Sequence, residues 1–132
     1  MQRVTGIGGI FFKARDADEL RAWYRRHLGL DIQEWGGLAL APPPTQPPDS
    51  AAPLASHTTW CIFPHDSDYF GDAPGAPFMI NYRVPDLDAL LAVLREEGCD
   101  VDEKTEASEY GKFGWVTDPE GNRVELWQPP GP

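Results

Sequence analysis

The sequence predicts one α+β domain built from two similar modules, each a strand, a helix and three further strands. The main observation is an internal repeat, in which residues 13–20 are answered by residues 83–90 at an offset of 70 positions. Each copy follows an apolar strand and leads into a helix that closes near a glycine. Two such modules within 132 residues fit a single domain, and a cleft between them is the expected place for function.

The first module is predicted to span residues 1–64. Asp16 or Asp18 can cap its helix, and Gly29 provides a left-handed end. The proline-rich stretch 42–53 cannot supply the hydrogen bonds of a sheet, so it is predicted to be a loop. The strands of this module are predicted at residues 4–14, 31–34, 38–41 and 57–63.

Residues 65–77 form the predicted linker, and the second module follows at 78–132. Its helix is predicted over residues 87–97, with leucines along one face. Pro119 and Gly121 favour a tight turn between the last two strands. The strands of this module are predicted at residues 78–84, 101–104, 112–117 and 123–127.

Composition excludes several classes of partner. The net charge of −10 argues against a nucleic-acid surface, which needs clustered lysine and arginine. We find no apolar stretch of membrane-spanning length and no signal-peptide pattern, so a cytoplasmic protein is expected. Cys61 and Cys99 are accordingly interpreted as free thiols.

Three stretches carry a family resemblance, at residues 23–30, 84–88 and 113–127. The last of them, FGWVTDPEGNRVELW, is the most specific. On these motifs the chain resembles the vicinal oxygen chelate superfamily, which includes glyoxalases, bleomycin resistance proteins and extradiol dioxygenases. The resemblance implies two paired βαβββ modules whose curved mixed sheets surround a cleft. It also implies a homodimer.

The same resemblance leaves the reaction open. Metal-using members act as lyases, isomerases, epimerases, thiol transferases or ring-cleaving dioxygenases on chelating oxygenated substrates. A metal-free branch binds and sequesters drugs without chemistry.

The family's four metal positions, carried onto this chain, are Gly9, Trp60, Met79 and Glu125. Glu125 alone has a side chain suited to a divalent metal, whereas a catalytic site usually needs about three protein ligands. The sequence therefore predicts no metal and no other cofactor. A non-standard site that uses His57 with Glu125 remains an alternative.

Strand alternation predicts an aromatic cleft with a few polar groups. Glu125 is the candidate catalytic residue. The candidate ligand-binding residues are Phe11, Lys13, Trp60, Met79, Asn81, Arg83, Phe113, Trp115 and Trp127.

Several functions are compatible with this cleft. The first is metal-free binding of a flat or cationic small molecule, as in sequestration or resistance proteins. The second is a metal-free lyase or isomerase in which Glu125 is the general base and Asn81 or Arg83 stabilises an oxyanion. Metal-dependent glyoxalase or dioxygenase chemistry is the third. Two further interpretations leave the cleft closed to a ligand: Glu125 pairs with Lys13 or Arg83, or tryptophans fill the cleft.

Overall fold

A computed structural model describes residues 1–41, 56–71 and 77–131 of the chain. They form one curved mixed sheet with two helices, which confirms the predicted fold class. The predicted loop 42–53 lies outside the described residues. The elements are β1 (Gly6–Ala14), α1 (Ala17–Leu28), β2 (Gly37–Leu40), β3 (Thr58–Pro64), β4 (Phe78–Arg83), α2 (Leu87–Glu96), β5 (Asp100–Val101), β6 (Glu106–Ser108), β7 (Gly111–Thr117) and β8 (Arg123–Gln128).

The two modules meet at the centre of the sheet. The strand order is β2-β3-β1-β4-β8-β7-β5, and β6 pairs with β7. β1 and β4 are antiparallel neighbours, while β3 lies parallel to β1 and β8 lies parallel to β4. Backbone hydrogen bonds therefore connect the modules, and each module places its last strand beside its first.

Helix α1 begins and ends where the sequence predicts. The side chain of Asp16 accepts a hydrogen bond from the backbone N–H of Glu19 at 3.0 Å, and Gly29 closes the helix at φ 67°. The strand predicted at residues 31–34 is not formed. The backbone N–H of Gln33 instead donates to the carbonyl oxygen of Gly37 at 2.8 Å, which turns the chain directly into β2.

Helix α2 covers the second module. Its N-cap is Asp86, and Leu87, Leu90 and Leu91 are buried against β8, where Leu126 belongs to the same cluster. Burial of several such side chains contributes about 1.5–3 kcal/mol each to folding. Neither described helix has the length and apolarity needed to cross a lipid bilayer. With helices on one face, the other sheet face is available for a site.

Candidate functional site

A cavity of about 690 Å³ lies over the face of the sheet that carries Phe11 and Glu125. Both modules contribute to it, as expected for a cleft between repeats. Aromatic side chains dominate the lining. They are Phe11, Trp35, Phe63, Tyr69, Tyr110, Phe113 and Trp127.

Two pairs of stacked rings form aromatic walls. The rings of Phe63 and Tyr69 stack at 5.6 Å between centroids with 10° between their planes. Those of Phe113 and Trp127 stack at 6.3 Å and 16°. The first pair belongs to β3 and the segment after it, and the second belongs to β7 and β8. A flat ligand would therefore meet ring faces or edges contributed by both modules.

Glu125 is the polar centre of the cleft. Its side chain is 1% exposed and accepts hydrogen bonds from three neutral donors. Tyr69 Oη and Trp115 Nε1 donate to Oε2, the latter at 2.9 Å, and Asn81 Nδ2 donates to Oε1 at 2.6 Å. Because tryptophan and the amide nitrogen can only donate, this pattern matches an ionised carboxylate.

Burial and hydrogen bonding shift the pKa of Glu125 in opposite directions. Desolvation raises the pKa of Glu125 above its usual value, while the hydrogen bonds from Tyr69, Asn81 and Trp115 act in the other direction. The pKa of Tyr69 is also raised, first by burial and then by the adjacent Glu125 carboxylate. Tyr69 is therefore a neutral donor near pH 7.

Neither cation expected beside Glu125 lies there. Lys13 Nζ lies 5.0 Å from the centroid of the Phe70 ring, and Arg83 Nη1 donates to the carbonyl oxygen of His57 at 2.9 Å. Arg123 stacks over Trp115 at 4.9 Å and pairs with Asp102 at 3.0 Å. Within the described part of the chain, no salt bridge reaches Glu125.

Trp60 does not line the cleft, contrary to the sequence prediction. Its ring packs against Phe12 at 5.2 Å and Tyr24 at 4.9 Å, on the face that α1 covers. Its neighbour Cys61, buried and aligned with Phe11, faces the cleft instead. The alignment from the sequence was wrong by one residue, and a shift of one position moves a side chain to the opposite face.

The repeat identifies the true counterpart of Glu125. Phe11 precedes Asn81 by the repeat offset of 70 residues, and the two have equivalent partners. Phe11 aligns with Cys61 between β1 and β3, as Asn81 aligns with Glu125 between β4 and β8. Cys61 therefore occupies the place in the first module that Glu125 occupies in the second. Burial raises the pKa of its thiol to about 11, so it is a neutral lining group.

The other predicted residues fall into two groups. Phe11, Asn81, Phe113, Glu125 and Trp127 line the cavity. Met79 and Trp115 lie in the buried cluster beneath it, with Phe11, Cys61 and Phe70.

The residues at the family's metal positions do not fit a divalent metal. Gly9 has no side chain, Met79 is buried among apolar groups, and Trp60 lies on the other face. Glu125 is already bonded to three donors. Among the described residues, no group of three or more histidine, cysteine, aspartate or glutamate side chains is placed to hold a metal ion. We derive no chemical step through a metal.

Besides Cys61 and Phe63 on β3, sequence reasoning missed three aromatic residues of the cleft that lie outside the predicted strands. Tyr69 lies in the predicted linker, where no periodicity marks it, although aromatic residues in a linker already indicate packing. Trp35 and Tyr110 lie in turns and are 57% and 60% exposed, so strand alternation could not place them. The sequence feature that marks both residues is a large aromatic side chain directly before a glycine.

The two-module curved sheet defines the class, which is the vicinal oxygen chelate superfamily. The model of a family described as a glyoxalase-like domain matches residues 9–127. The chain belongs to this glyoxalase-like domain family. No protein in the curated collection matches its sequence.

Solved structures share the fold at low identity. A methylmalonyl-CoA epimerase from Mycobacterium tuberculosis is 22% identical with a TM-score of 0.60, and the match covers 99% of this chain and 92% of that one. A Streptomyces coelicolor methylmalonyl-CoA epimerase variant in complex with 2-nitronate-propionyl-CoA is 16% identical with a TM-score of 0.66, over 97% and 99% of the two chains. At these identities the likeness establishes the fold.

Proposed function

We propose that this glyoxalase-like protein binds a small, flat organic molecule in its aromatic cleft without a metal, as sequestration proteins do. The observation that carries the proposal is the pairing of two aromatic walls with one buried polar centre, Glu125 and Asn81. Binding sites for small molecules commonly combine an apolar lining with a few placed polar groups. The cavity volume of about 690 Å³ suits a drug-sized molecule.

The lining of the cleft is less suited to binding a coenzyme A thioester. Phosphate groups need cationic partners. Arg21 is the one cation among the described residues that line the cavity, and it already donates to the carbonyl oxygen of Ile62 and pairs with Asp18 at 3.2 Å. The chain also carries a net charge of −10. An uncharged or cationic ligand suits these surroundings better than an anionic one.

Phe113→Ala tests this proposal. Loss of one stacked wall should weaken binding of a flat probe by roughly tenfold, because an aromatic contact contributes about 0.5–1.5 kcal/mol beyond its buried area. A panel of bicyclic aromatic compounds, measured by isothermal titration calorimetry, supplies the probe. Phe78→Ala is the matched control, since Phe78 is 61% exposed and lies one strand position from Met79, on the opposite face.

Two results would contradict the proposal. If no compound of the panel binds the wild-type chain, the cleft is not a binding site for flat molecules. If Phe113→Ala and Phe78→Ala weaken binding equally, the ligand lies elsewhere on the protein.

A second candidate, proton abstraction by Glu125, is favoured by the raised pKa of this buried carboxylate. Glu125 would take a proton from a carbon next to a carbonyl group, the C–H electron pair would form an enolate, and the proton would return to carbon. Incubation of methylmalonyl-CoA in D₂O, followed by proton NMR, tests this reaction. Deuterium incorporation that Glu125→Gln abolishes would support it, and absence of exchange would exclude it for this substrate.

A further inference from the structure

We infer that the ligand of the cleft is an organic monocation, whose protonated or quaternary nitrogen pairs with Glu125 while its apolar body lies between the aromatic walls. This inference rests on the proposed function and names the chemical class of the ligand.

Glu125 is a buried carboxylate that no salt bridge reaches among the described residues. Glu125 is 1% exposed, and its three hydrogen-bond donors are neutral. Burial of a charge is costly unless the charge is paired, since neutral donors replace only part of the lost hydration. A buried carboxylate in a cavity is therefore a site where a cation is favoured.

The cations of the chain nearest to this cavity are engaged elsewhere. Lys13 lies over Phe70, Arg83 donates to the His57 carbonyl oxygen, and Arg123 pairs with Asp102. Arg21, in the cavity wall, pairs with Asp18. A cationic ligand would give Glu125 a direct ionic partner in the cleft.

Glu125 also has the capacity to accept another hydrogen bond. A carboxylate oxygen has two lone pairs, and Oε1 accepts a single hydrogen bond, from Asn81 Nδ2. Glu125 belongs to the cavity lining, so a ligand in the cleft would lie beside this residue. An ammonium N–H, or the positive surface of a quaternary nitrogen, complements it.

The surrounding rings favour the same class of ligand. Phe113 and Trp127 belong to β7 and β8, and Glu125 lies on β8 two residues before Trp127. Ring faces attract cations within about 6 Å of their centroids, and tryptophan does so most strongly. A carboxylate surrounded by rings therefore attracts a cation through two effects at once.

A matched pair of probes tests the inference, 2-naphthylmethylamine and 2-naphthylmethanol. The two share one flat body and both donate hydrogen bonds, but only the amine is charged near neutral pH. Isothermal titration calorimetry should show the amine binding roughly tenfold or more tightly than the alcohol near pH 8. Glu125→Gln should remove this preference. The control Glu120→Gln removes one charge from an exposed turn and should preserve the preference.

The wild-type chain provides a readout that does not depend on the folding of a variant. When the titration is repeated at progressively lower pH, the preference for the amine should decrease, because burial raises the pKa of Glu125 and favours its protonated form. Tyr69, from the segment after β3, faces the carboxylate and stays neutral at these pH values, as does Cys61 in the cavity wall. The cationic groups packed around this site are Arg123 on β8, over the Trp115 ring, and Arg21 in the cavity wall.

The outcomes separate the inference from the proposed function. Equal binding of amine and alcohol at every pH overturns the monocation and leaves the aromatic cleft as a binding site. Failure of both probes to bind counts against the proposed function and removes the inference with it. An amine preference that survives Glu125→Gln overturns the assigned partner.

Discussion

At the scale of single residues, the packing around the cleft depends on a glycine, Gly8. The register between β1 and β4 shifts between Ile7 and Gly9, and Gly8 lies against Asn81 and Trp127 at this irregularity. A methyl group at Gly8 would overlap Asn81 Oδ1 and approach Trp127 Cε3 to 2.8 Å. Both neighbours are buried side chains that line the cavity, so the methyl group would have to displace them toward the cleft.

We predict that Gly8→Ala destabilises the fold by about 1–3 kcal/mol, the usual cost of an added methyl group in a packed interior. It should also weaken ligand binding, because displaced Asn81 loses its hydrogen bond to Glu125. Urea denaturation measures the first effect and calorimetry the second. Gly131→Ala is the control, because a methyl group there meets no heavy atom within 4 Å. Equal stability of the two variants would mean that the close approach at Gly8 is tolerated.

At the scale of the elements, the two faces of β3 have separate roles. Cys61 and Phe63 face the cleft, while Trp60 packs beneath α1 against Phe12 and Tyr24. The sequence shows plain alternation here but does not reveal which set faces inward, because both sets are apolar. The parallel pairing with β1 decides the question, and a pairing between distant segments cannot be predicted from local pattern alone.

We predict that Trp60→Ala lowers the free energy of unfolding by about 3 kcal/mol, because the ring supports the contact between α1 and the sheet. Binding of a flat probe to the folded variant should stay within about twofold of wild type. Urea denaturation and calorimetry below the unfolding transition provide the two values. Phe113→Ala changes a residue on the cleft face. It should weaken probe binding more than Trp60→Ala does and lower the free energy of unfolding less. A large loss of binding in folded Trp60→Ala would show that the helix face controls the cleft.

At the scale of the whole molecule, the repeat made the fold predictable. The repeated strand and helix predicted two modules and both helices, and the structure shows Asp16 and Asp86 as their N-caps. The same reasoning failed where contacts are long-range. Tyr69 reaches Glu125 across 56 positions of sequence, and no local pattern predicts such a hydrogen bond. The homodimer implied by the family resemblance stays a prediction, which sedimentation velocity would test.

The ionisation of Glu125 should be visible in global stability. A carboxyl group whose pKa is higher in the folded state than in the unfolded state binds more protons when folded, so its contribution to stability falls as pH rises. The fall begins near the unfolded value of 4.5 and ends above the folded pKa. Relative to wild type, Glu125→Gln should therefore become progressively more stable as pH increases through this window.

Denaturation of both chains across this pH range isolates the effect of one residue. Asp102 has a lowered pKa, first through the hydrogen bond from the backbone N–H of Lys104 and then through that from Arg123, so its contribution to stability changes with pH only below its ordinary value of 3.8. This contribution is common to both proteins and cancels in the difference. A stability difference that is constant with pH would mean that Glu125 titrates normally in the folded chain.

The equivalent positions of Cys61 and Glu125 affect the orientation of a molecule bound in the cleft. Phe11 and Cys61 in one half match Asn81 and Glu125 in the other, so a pseudo-symmetric backbone carries an apolar half and a polar half. A symmetric cleft would accept a molecule equally well in two orientations related by rotation. This one distinguishes them, because reversal would place a polar group of the molecule against a thiol and a phenyl ring. A bound molecule with one polar end should therefore adopt a single orientation, even though the walls themselves are flat rings.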